Sequence, residues 1–112
     1  MTLAQRNNNP GNLRYAGQRE ATGQDDRGFA VFPTPWAGWR ALVSQIRLDQ
    51  KRGLTIRQFV YKYAPPEEND TEKYIDTVCR MTAVPLDPNS ELSSVSPYAV
   101  AGMIAFVEGW FA

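Results

Sequence analysis

The chain has 112 residues, a length that predicts one domain, because two domains would each fall near the lower size limit for independent folding. Hydrophobic residues make up 43%, and the 12 Lys and Arg residues balance the 12 Asp and Glu residues, so no basic excess points to nucleic acid or an anionic membrane as a partner. Histidine is absent and cysteine occurs once, which excludes Ser-His-Asp and Cys-His catalysis, an ordinary zinc site and an internal disulfide.

The N-terminal segment predicts turns and no targeting signal. A polar Gln-Arg-Asn stretch lies where a secretory signal would be apolar, and no apolar run in the chain reaches the roughly 18–20 residues that span a bilayer. Asn and Gly tolerate left-handed backbone, and Pro10-Gly11 suits the centre of a type II turn, so the segment Arg6–Asn12 is turn-forming. We expect a soluble protein without its own export signal.

A small β-hairpin lobe is predicted over about residues 7–33. Leu13–Tyr15 and Phe29–Phe32 are short, strand-like runs, the second of them rich in aromatic and β-branched residues. Between them lies a polar segment, residues 16–28, which carries several glycines and charged side chains. The two runs therefore predict a hairpin with a long loop.

The rest of the chain, residues 34–112, predicts four helices, each with an apolar stripe at helical spacing. Their start signals are Thr34-Pro35, Thr55, Asn69 with Glu72, and Ser96-Pro97. Gly53 ends the first, Pro65-Pro66 stops the second, and the last continues to about Trp110. Residues 84–94 are predicted to be a surface connection, and Cys79 a small core residue. The fold class is therefore α+β, mainly α.

Glu108 is the only charged side chain between Leu92 and the last residue of the chain. It lies at the C-terminal end of a helix that is apolar nearly all round, which is typical of an interior helix. An apolar wall and the negative end of the helix dipole both disfavour a charged carboxylate. Glycoside cleavage needs a carboxylic acid held protonated near neutral pH, so Glu108 is a candidate general acid. The alternative is a solvated glutamate near a frayed terminus.

Several separated motifs resemble a family of phage proteins usually described as virion or structural proteins. In order along the chain, they are Asn8-Asn-Pro-Gly-Asn-Leu-Arg14, Gly28-Phe-Ala-Val-Phe32, Ala37-Gly-Trp-Arg-Ala-Leu42 and Tyr63-Ala-Pro-Pro-Glu-Glu-Asn-Asp-Thr71. Larger phage lysis proteins share this block, and the family's later glutamate followed by glycine is matched by Glu108-Gly109.

The same motif order is similar to the bacterial glucosaminidase and lytic transglycosylase superfamily, which has a lysozyme-like fold. In that superfamily the helix that carries the glutamate comes first, whereas here it would come last. The resemblance therefore implies a circularly permuted lysozyme-like domain, a rearrangement that neighbouring chain termini tolerate. It predicts that Met1 and Ala112 lie close together and that Glu108 faces the hairpin lobe.

The resemblance implies an enzyme that cleaves peptidoglycan glycan strands, with Glu108 as general acid and no metal or cofactor. Candidates for a second carboxylate are the acids of the hairpin loop, Glu20, Asp25 and Asp26, with Glu20 and Asp26 preferred. A hydrolase would use such a partner, whereas a lytic transglycosylase could use Glu108 alone, first as acid and then as base. Candidate substrate-binding residues are Asn9, Asn12, Tyr15, Phe32, Thr34, Tyr63, Glu68 and Tyr74.

Each of these candidates also has a structural interpretation. Asparagines form turns, loop acids are mostly solvated, and aromatic side chains at helical spacing more often belong to a core. The alternative function is accordingly a non-catalytic virion protein that packs in the particle or binds glycan. Either function predicts peptidoglycan strands or other virion proteins as partners, no nucleic acid or membrane, and a location in the virion or host cytoplasm with delivery to the cell wall.

Overall fold

The computed structural model describes residues 1–112 and contains five α-helices, one short 3-10 helix and a two-stranded antiparallel sheet. In chain order the elements are α1 (Leu3–Arg6), β1 (Gly23–Gln24), β2 (Ala30–Val31), α2 (Pro35–Lys51), α3 (Ile56–Tyr63), α4 (Thr71–Cys79), the 3-10 helix (Leu92–Ser94) and α5 (Pro97–Val107). The predicted class, α+β and mainly α, is confirmed. None of the helices combines the length and the apolarity needed to cross a bilayer.

Two of the predicted helix starts are confirmed and two are corrected. The Thr34 and Thr55 hydroxyls accept hydrogen bonds from backbone N–H groups of the first turns of α2 and α3. Asp70, not Asn69, caps α4, because the helix begins at Thr71 and the Asp70 carboxylate accepts from the Lys73 N–H of its first turn. Ser96 precedes Pro97 at the start of α5 but makes no side-chain cap.

The hairpin differs from its prediction in one strand. Phe29–Phe32 does contain β2, but its partner is Gly23–Gln24, a segment without the β-branched residues that signal a strand. Leu13–Tyr15 keeps a single bridge, between Arg14 and Phe29, on the other side of the same segment. The lobe therefore contains three short backbone segments that hydrogen-bond to one another. Two of them, around Arg14 and at Gly23–Gln24, both pair with the segment that contains β2.

The ends of the chain contact each other, as the resemblance predicted for Met1 and Ala112. The contact is made through α1, a helix that was not predicted because four residues carry no periodicity. Thr2 caps α1 and its hydroxyl also donates to the Gly109 carbonyl at 3.0 Å. The Gln5 amide donates to the carbonyls of Trp110 and Ala112, each at 2.9 Å. Because α5 ends at Val107 and not near Trp110, the last residues are free to turn back over α1.

One hydrophobic core of 19 buried residues joins the hairpin lobe to the helices. Phe32 from the hairpin, Phe59 from α3 and Ile104 from α5 belong to it, and the free Cys79 is buried in it as predicted. Leu92 is also buried, which corrects the prediction that residues 84–94 are only a surface connection. This core fixes the last helix, and with it Glu108, against the turn segment.

Candidate active site

Glu108 is the C-cap residue of α5, and its half-buried carboxylate faces the turn at the start of the hairpin lobe. The Asn12 amide donates to one carboxylate oxygen, Oε1, at 2.9 Å. The Tyr74 hydroxyl, from α4, donates to the other, Oε2, at 2.8 Å. The side chain is thus held from two sides, and the expectation that it faces the hairpin lobe is confirmed. These polar contacts replace the purely apolar surroundings that the sequence predicted.

Asn12 reaches Glu108 because its backbone is left-handed, with φ of 48°, a conformation that Asn tolerates better than most residues. Its N–H donates to the Asn9 carbonyl at 3.0 Å, which closes the turn below the side chain. While the Asn12 amide nitrogen binds Glu108, its buried Oδ1 atom has no hydrogen-bond partner. A buried acceptor without a partner is uncommon in folded proteins and marks a candidate functional position.

Two tyrosines beside Glu108 remain protonated, because burial raises the pKa of both hydroxyls. The negative charge of Glu108 raises the pKa of Tyr74 and of Tyr63 further. Tyr74 is therefore a lasting hydrogen-bond donor to the carboxylate. The Tyr63 hydroxyl donates to the Gly11 carbonyl and so ties α3 to the turn.

A polar cleft of about 390 Å³ opens above Glu108, between the hairpin lobe and the α3–α4 connection. It is lined by Asn12, Arg14, Arg27, Phe29, Tyr63, Ala64, Glu68, Asn69 and Glu108. Across it Arg14 pairs with Glu68 at 2.7 Å, and the Arg14 guanidinium lies 4.5 Å from the centre of the Phe29 ring. The cleft is therefore charged and open, a form that suits a hydrated polar ligand.

The structure brings five of the predicted site residues together: Glu108, Asn12, Tyr63, Glu68 and Tyr74. Sequence reasoning missed the two cleft arginines, Arg14 and Arg27, and the aromatic side chain of Phe29. Arg14 and Phe29 lie inside the quoted motif blocks, so the blocks themselves carried a signal for them. Arg27 had no signal beyond its place before Gly28.

Two candidate substrate-binding residues are corrected because they are buried. Asn9 is 0% exposed, and its side chain makes three hydrogen bonds to backbone groups of Leu13 and Ala30. Phe32 is 2% exposed and belongs to the core. Neither side chain can contact a substrate, and both instead hold the lobe in shape.

The other four candidates do not line the cleft. Glu20 is paired with Arg40 of α2, and this pair lowers the pKa of Glu20 through a 2.9 Å hydrogen bond. Thr34 is occupied as the cap of α2, while Tyr15 and Asp26 are exposed. The expected second carboxylate from the hairpin loop is therefore not beside Glu108.

Besides a depression of about 390 Å³ around Glu20 and Arg40, two others outside the cleft are of note. One, of about 290 Å³, adjoins it through the shared residues Asn12, Arg14 and Tyr63. The other, of about 680 Å³, lies between α2 and α5 around the exposed rings of Trp36 and Tyr98 and contains none of the predicted site residues. The cleft above Glu108 is thus where the predicted site residues gather.

Comparison with known proteins connects this chain to a phage. Protein P5 of Pseudoalteromonas phage PM2 is 34% identical to it over 113 aligned residues, which cover 93% of the chain and 69% of the phage protein. The chain belongs to the family of phage PM2 protein P5. The prediction of a phage protein is thereby confirmed, and no protein-family model matches the chain.

Proposed function

We propose that the protein is a phage enzyme of lysozyme-like fold that cleaves peptidoglycan glycan strands, with Glu108 as general acid. The observation that carries the proposal is the placement of this carboxylate at the base of an open polar cleft, held by Asn12 and Tyr74 and facing the turn lobe. The contact between α1 and the last residues also fits the permuted arrangement that the motif order implies.

The reaction needs one proton transfer to the bond that breaks. Protonated Glu108 donates its proton to the oxygen between N-acetylmuramic acid and N-acetylglucosamine, and the bond from that oxygen to the anomeric carbon breaks. Asn12 and Tyr74 orient the carboxyl group toward the cleft. A group fixed by two hydrogen bonds loses little orientational freedom when the substrate arrives.

A mechanism that uses one carboxylate fits the cleft better than a mechanism in which a second carboxylate activates water. The cleft contains one other acid, Glu68, and it is bound to Arg14 at 2.7 Å. Glu108 would therefore act twice: as acid it protonates the leaving oxygen, and as carboxylate it accepts the proton of the sugar hydroxyl that closes on the anomeric carbon. This is the transglycosylase course, in which the product contains one water fewer than a hydrolysis product.

A second candidate is a virion protein that binds glycan without cleaving it. Asn12 and Tyr74 both donate to Glu108, and the same two hydrogen bonds also suit a carboxylate that only holds a sugar in place. In that function the polar cleft binds a sugar strand and transfers no proton. The two candidates share a ligand and differ in turnover.

Replacement of the carboxylate separates the two candidates. We expect Glu108→Gln to reduce clearing of a purified cell-wall suspension by at least about a hundredfold, because positioned acid–base groups contribute on the order of 10²–10⁴ to rate. Glu67→Gln is the matched control, since Glu67 is exposed, belongs to the same motif block as Glu68 and does not line the cleft. It should clear the wall at the wild-type rate.

The same preparations identify the reaction. Mass spectrometry of the released fragments distinguishes a product with one water fewer from a hydrolysis product. A wild-type protein that binds wall material but releases no fragment would establish the glycan-binding function. Equal clearing by wild type and Glu108→Gln would overturn the role of Glu108.

A further inference from the structure

The cleft above Glu108 continues into a groove that reaches the surface between α2 and α5. Four depressions, of which the cleft is the first, adjoin one another in series, and each shares lining side chains with the next. In order from the cleft, the shared side chains include Arg14 and Tyr63, then Gln18 and Leu48, and finally Arg40 and Ser44. The last depression, of about 680 Å³, is therefore connected to the candidate active site.

This groove follows the exposed side of α2. Leu48 lines its middle and Trp36 lines its end, and the two residues lie about 18 Å apart along the helix axis. Between them the groove crosses α2 at Ser44, whose side chain is small and exposed. A ligand that occupies both the cleft and the far end of the groove is therefore an extended chain, which is the shape of a sugar strand.

Aromatic rings line the far end of the groove. Trp36 is 72% exposed and Tyr98 is 65% exposed, although both are large apolar side chains. The Tyr98 ring is held in place by Arg47, whose guanidinium lies 5.3 Å from the ring centre and donates to the hydroxyl at 2.7 Å. Trp39, between them, packs edge-on against Trp110 with ring centres 6.1 Å apart. The rings thus form a supported surface with faces open to a ligand.

A sugar strand suits this surface better than a second copy of the chain does. The face of an aromatic ring is negative, so it attracts the weakly positive C–H groups on the flat side of a sugar ring. Aromatic side chains have two rotatable bonds, so little ordering is needed when a ligand stacks on them. Two arginines and no acid line the surface. A second copy docked by the same face would therefore bring arginine against arginine.

We infer that the aromatic surface formed by Trp36, Trp39 and Tyr98 is a second glycan-binding site, which holds a distant part of the strand that lies in the cleft. This inference rests on the proposed function and adds a preference for long strands, set at a site away from Glu108. Because one strand makes both contacts, the second contact is intramolecular and raises the affinity without any new contact in the cleft. Trp36 and Tyr98 therefore act on the binding of long strands and take no part in the proton transfer.

Binding of two ligands of different length tests the inference in the full chain with Glu108→Gln, which blocks turnover. One ligand is a size-fractionated preparation of peptide-free peptidoglycan strands that are much longer than the groove, and the other is a tetrasaccharide from the same strands. Adding Trp36→Ala should weaken binding of the long strands by about three- to tenfold, the range of one aromatic contact, and leave binding of the tetrasaccharide unchanged. Trp36→Phe keeps a ring and should retain most of the affinity for long strands.

Phe106→Ala is the matched control, because Phe106 is an exposed aromatic residue of α5 that lines neither the cleft nor the groove. It should change neither affinity. Unchanged binding of long strands by Trp36→Ala, or equal weakening of both ligands, would overturn the inference while leaving the proposed function in place. A dimer in sedimentation velocity that Trp36→Ala converts to a monomer would overturn it in favour of a second copy. Binding of neither ligand would instead count against the proposed function itself.

Discussion

Asparagines of one short turn perform different tasks at the residue scale. The Asn9 side chain is fully buried and donates hydrogen bonds to the backbone carbonyls of Leu13 and Ala30. The Asn12 side chain instead points out of the turn to Glu108. Asn8 binds the Phe32 carbonyl at 3.1 Å and so fixes the end of the hairpin. The same residue type thus builds the lobe at two positions and the candidate site at a third.

Asn9→Leu tests the structural role of the enclosed amide. Leucine has a similar shape but cannot pair with the Leu13 N–H or with the two carbonyls that Asn9 now binds. Each buried backbone group left without a partner costs about 1–3 kcal/mol, so we expect a loss of roughly 2–5 kcal/mol in the free energy of unfolding. Urea denaturation followed by tryptophan fluorescence measures it.

Asn89→Leu provides the comparison, because Asn89 is exposed and its side chain makes one long contact with Arg57, at 3.4 Å. We expect a change within about 0.5 kcal/mol, as for most surface substitutions. Similar losses in the two variants would show that the enclosed amide of Asn9 is not a structural centre of the lobe.

Close approach of α2 to the N-terminal turn decides the arrangement at the element scale. Gly38 faces the turn, and a Cβ at that position would overlap the Asn8 carbonyl oxygen and lie 2.8 Å from Cδ of Pro10. Because the nearest atoms belong to the backbone and to a proline ring, they cannot swing away. Because Gly38 has no side chain, α2 can pack directly against the turn that carries Asn12.

Gly38→Ala should accordingly destabilise the protein. Alanine favours a helix over glycine by about 1 kcal/mol, but overpacking of a tight contact typically costs 1–3 kcal/mol or more, and here the contact is with backbone. We expect a net loss of about 1–3 kcal/mol by urea denaturation. Gly102→Ala in α5 is the matched change, because a Cβ there meets no atom within 4 Å. It should stabilise by about 0.5–1 kcal/mol, and stabilisation by both substitutions would refute the packing argument.

Contact between the two ends of the chain shapes the whole molecule. α1 lies against the residues that follow α5, so the helix that carries Glu108 is held at its end by the beginning of the chain. The radius of gyration is 13.3 Å, as expected for a compact chain of this length. We therefore expect the core to be kept when the order of the elements is changed.

A circular permutant tests this property. We propose to join residues 112 and 1 through a short glycine-serine linker and to open the chain between Val84 and Pro85, which are both exposed. We expect wild-type helical circular dichroism and a single cooperative unfolding transition, because the opened connection lies outside the hydrogen-bonded elements. A permutant opened between Phe59 and Val60, both buried in α3, should fail to fold. Failure of the first permutant would show that the 84–85 connection is needed for folding.

The sequence predicted the longer elements well and the short ones poorly. The apolar stripes and start signals of α2 and α3 identified both helices, because Thr34 and Thr55 act through local hydrogen bonds. α1 and the strand at Gly23–Gln24 were missed, since four- and two-residue elements leave no periodic pattern. The contact between the two chain ends was expected from the order of the motifs in the family resemblance and from no local pattern in the sequence.

By itself, then, the sequence determined the class of fold, the long helices and the isolation of Glu108 as the one charged side chain near the end of an apolar helix. Tertiary structure alone decided which side chains contact Glu108. Asn12 and Tyr74 are brought to Glu108 across 96 and 34 residues of chain, while Glu20 is drawn away by Arg40. The physical reason is range: caps and periodicity act within a few residues, whereas a site assembled by packing depends on contacts between distant segments that no local pattern encodes.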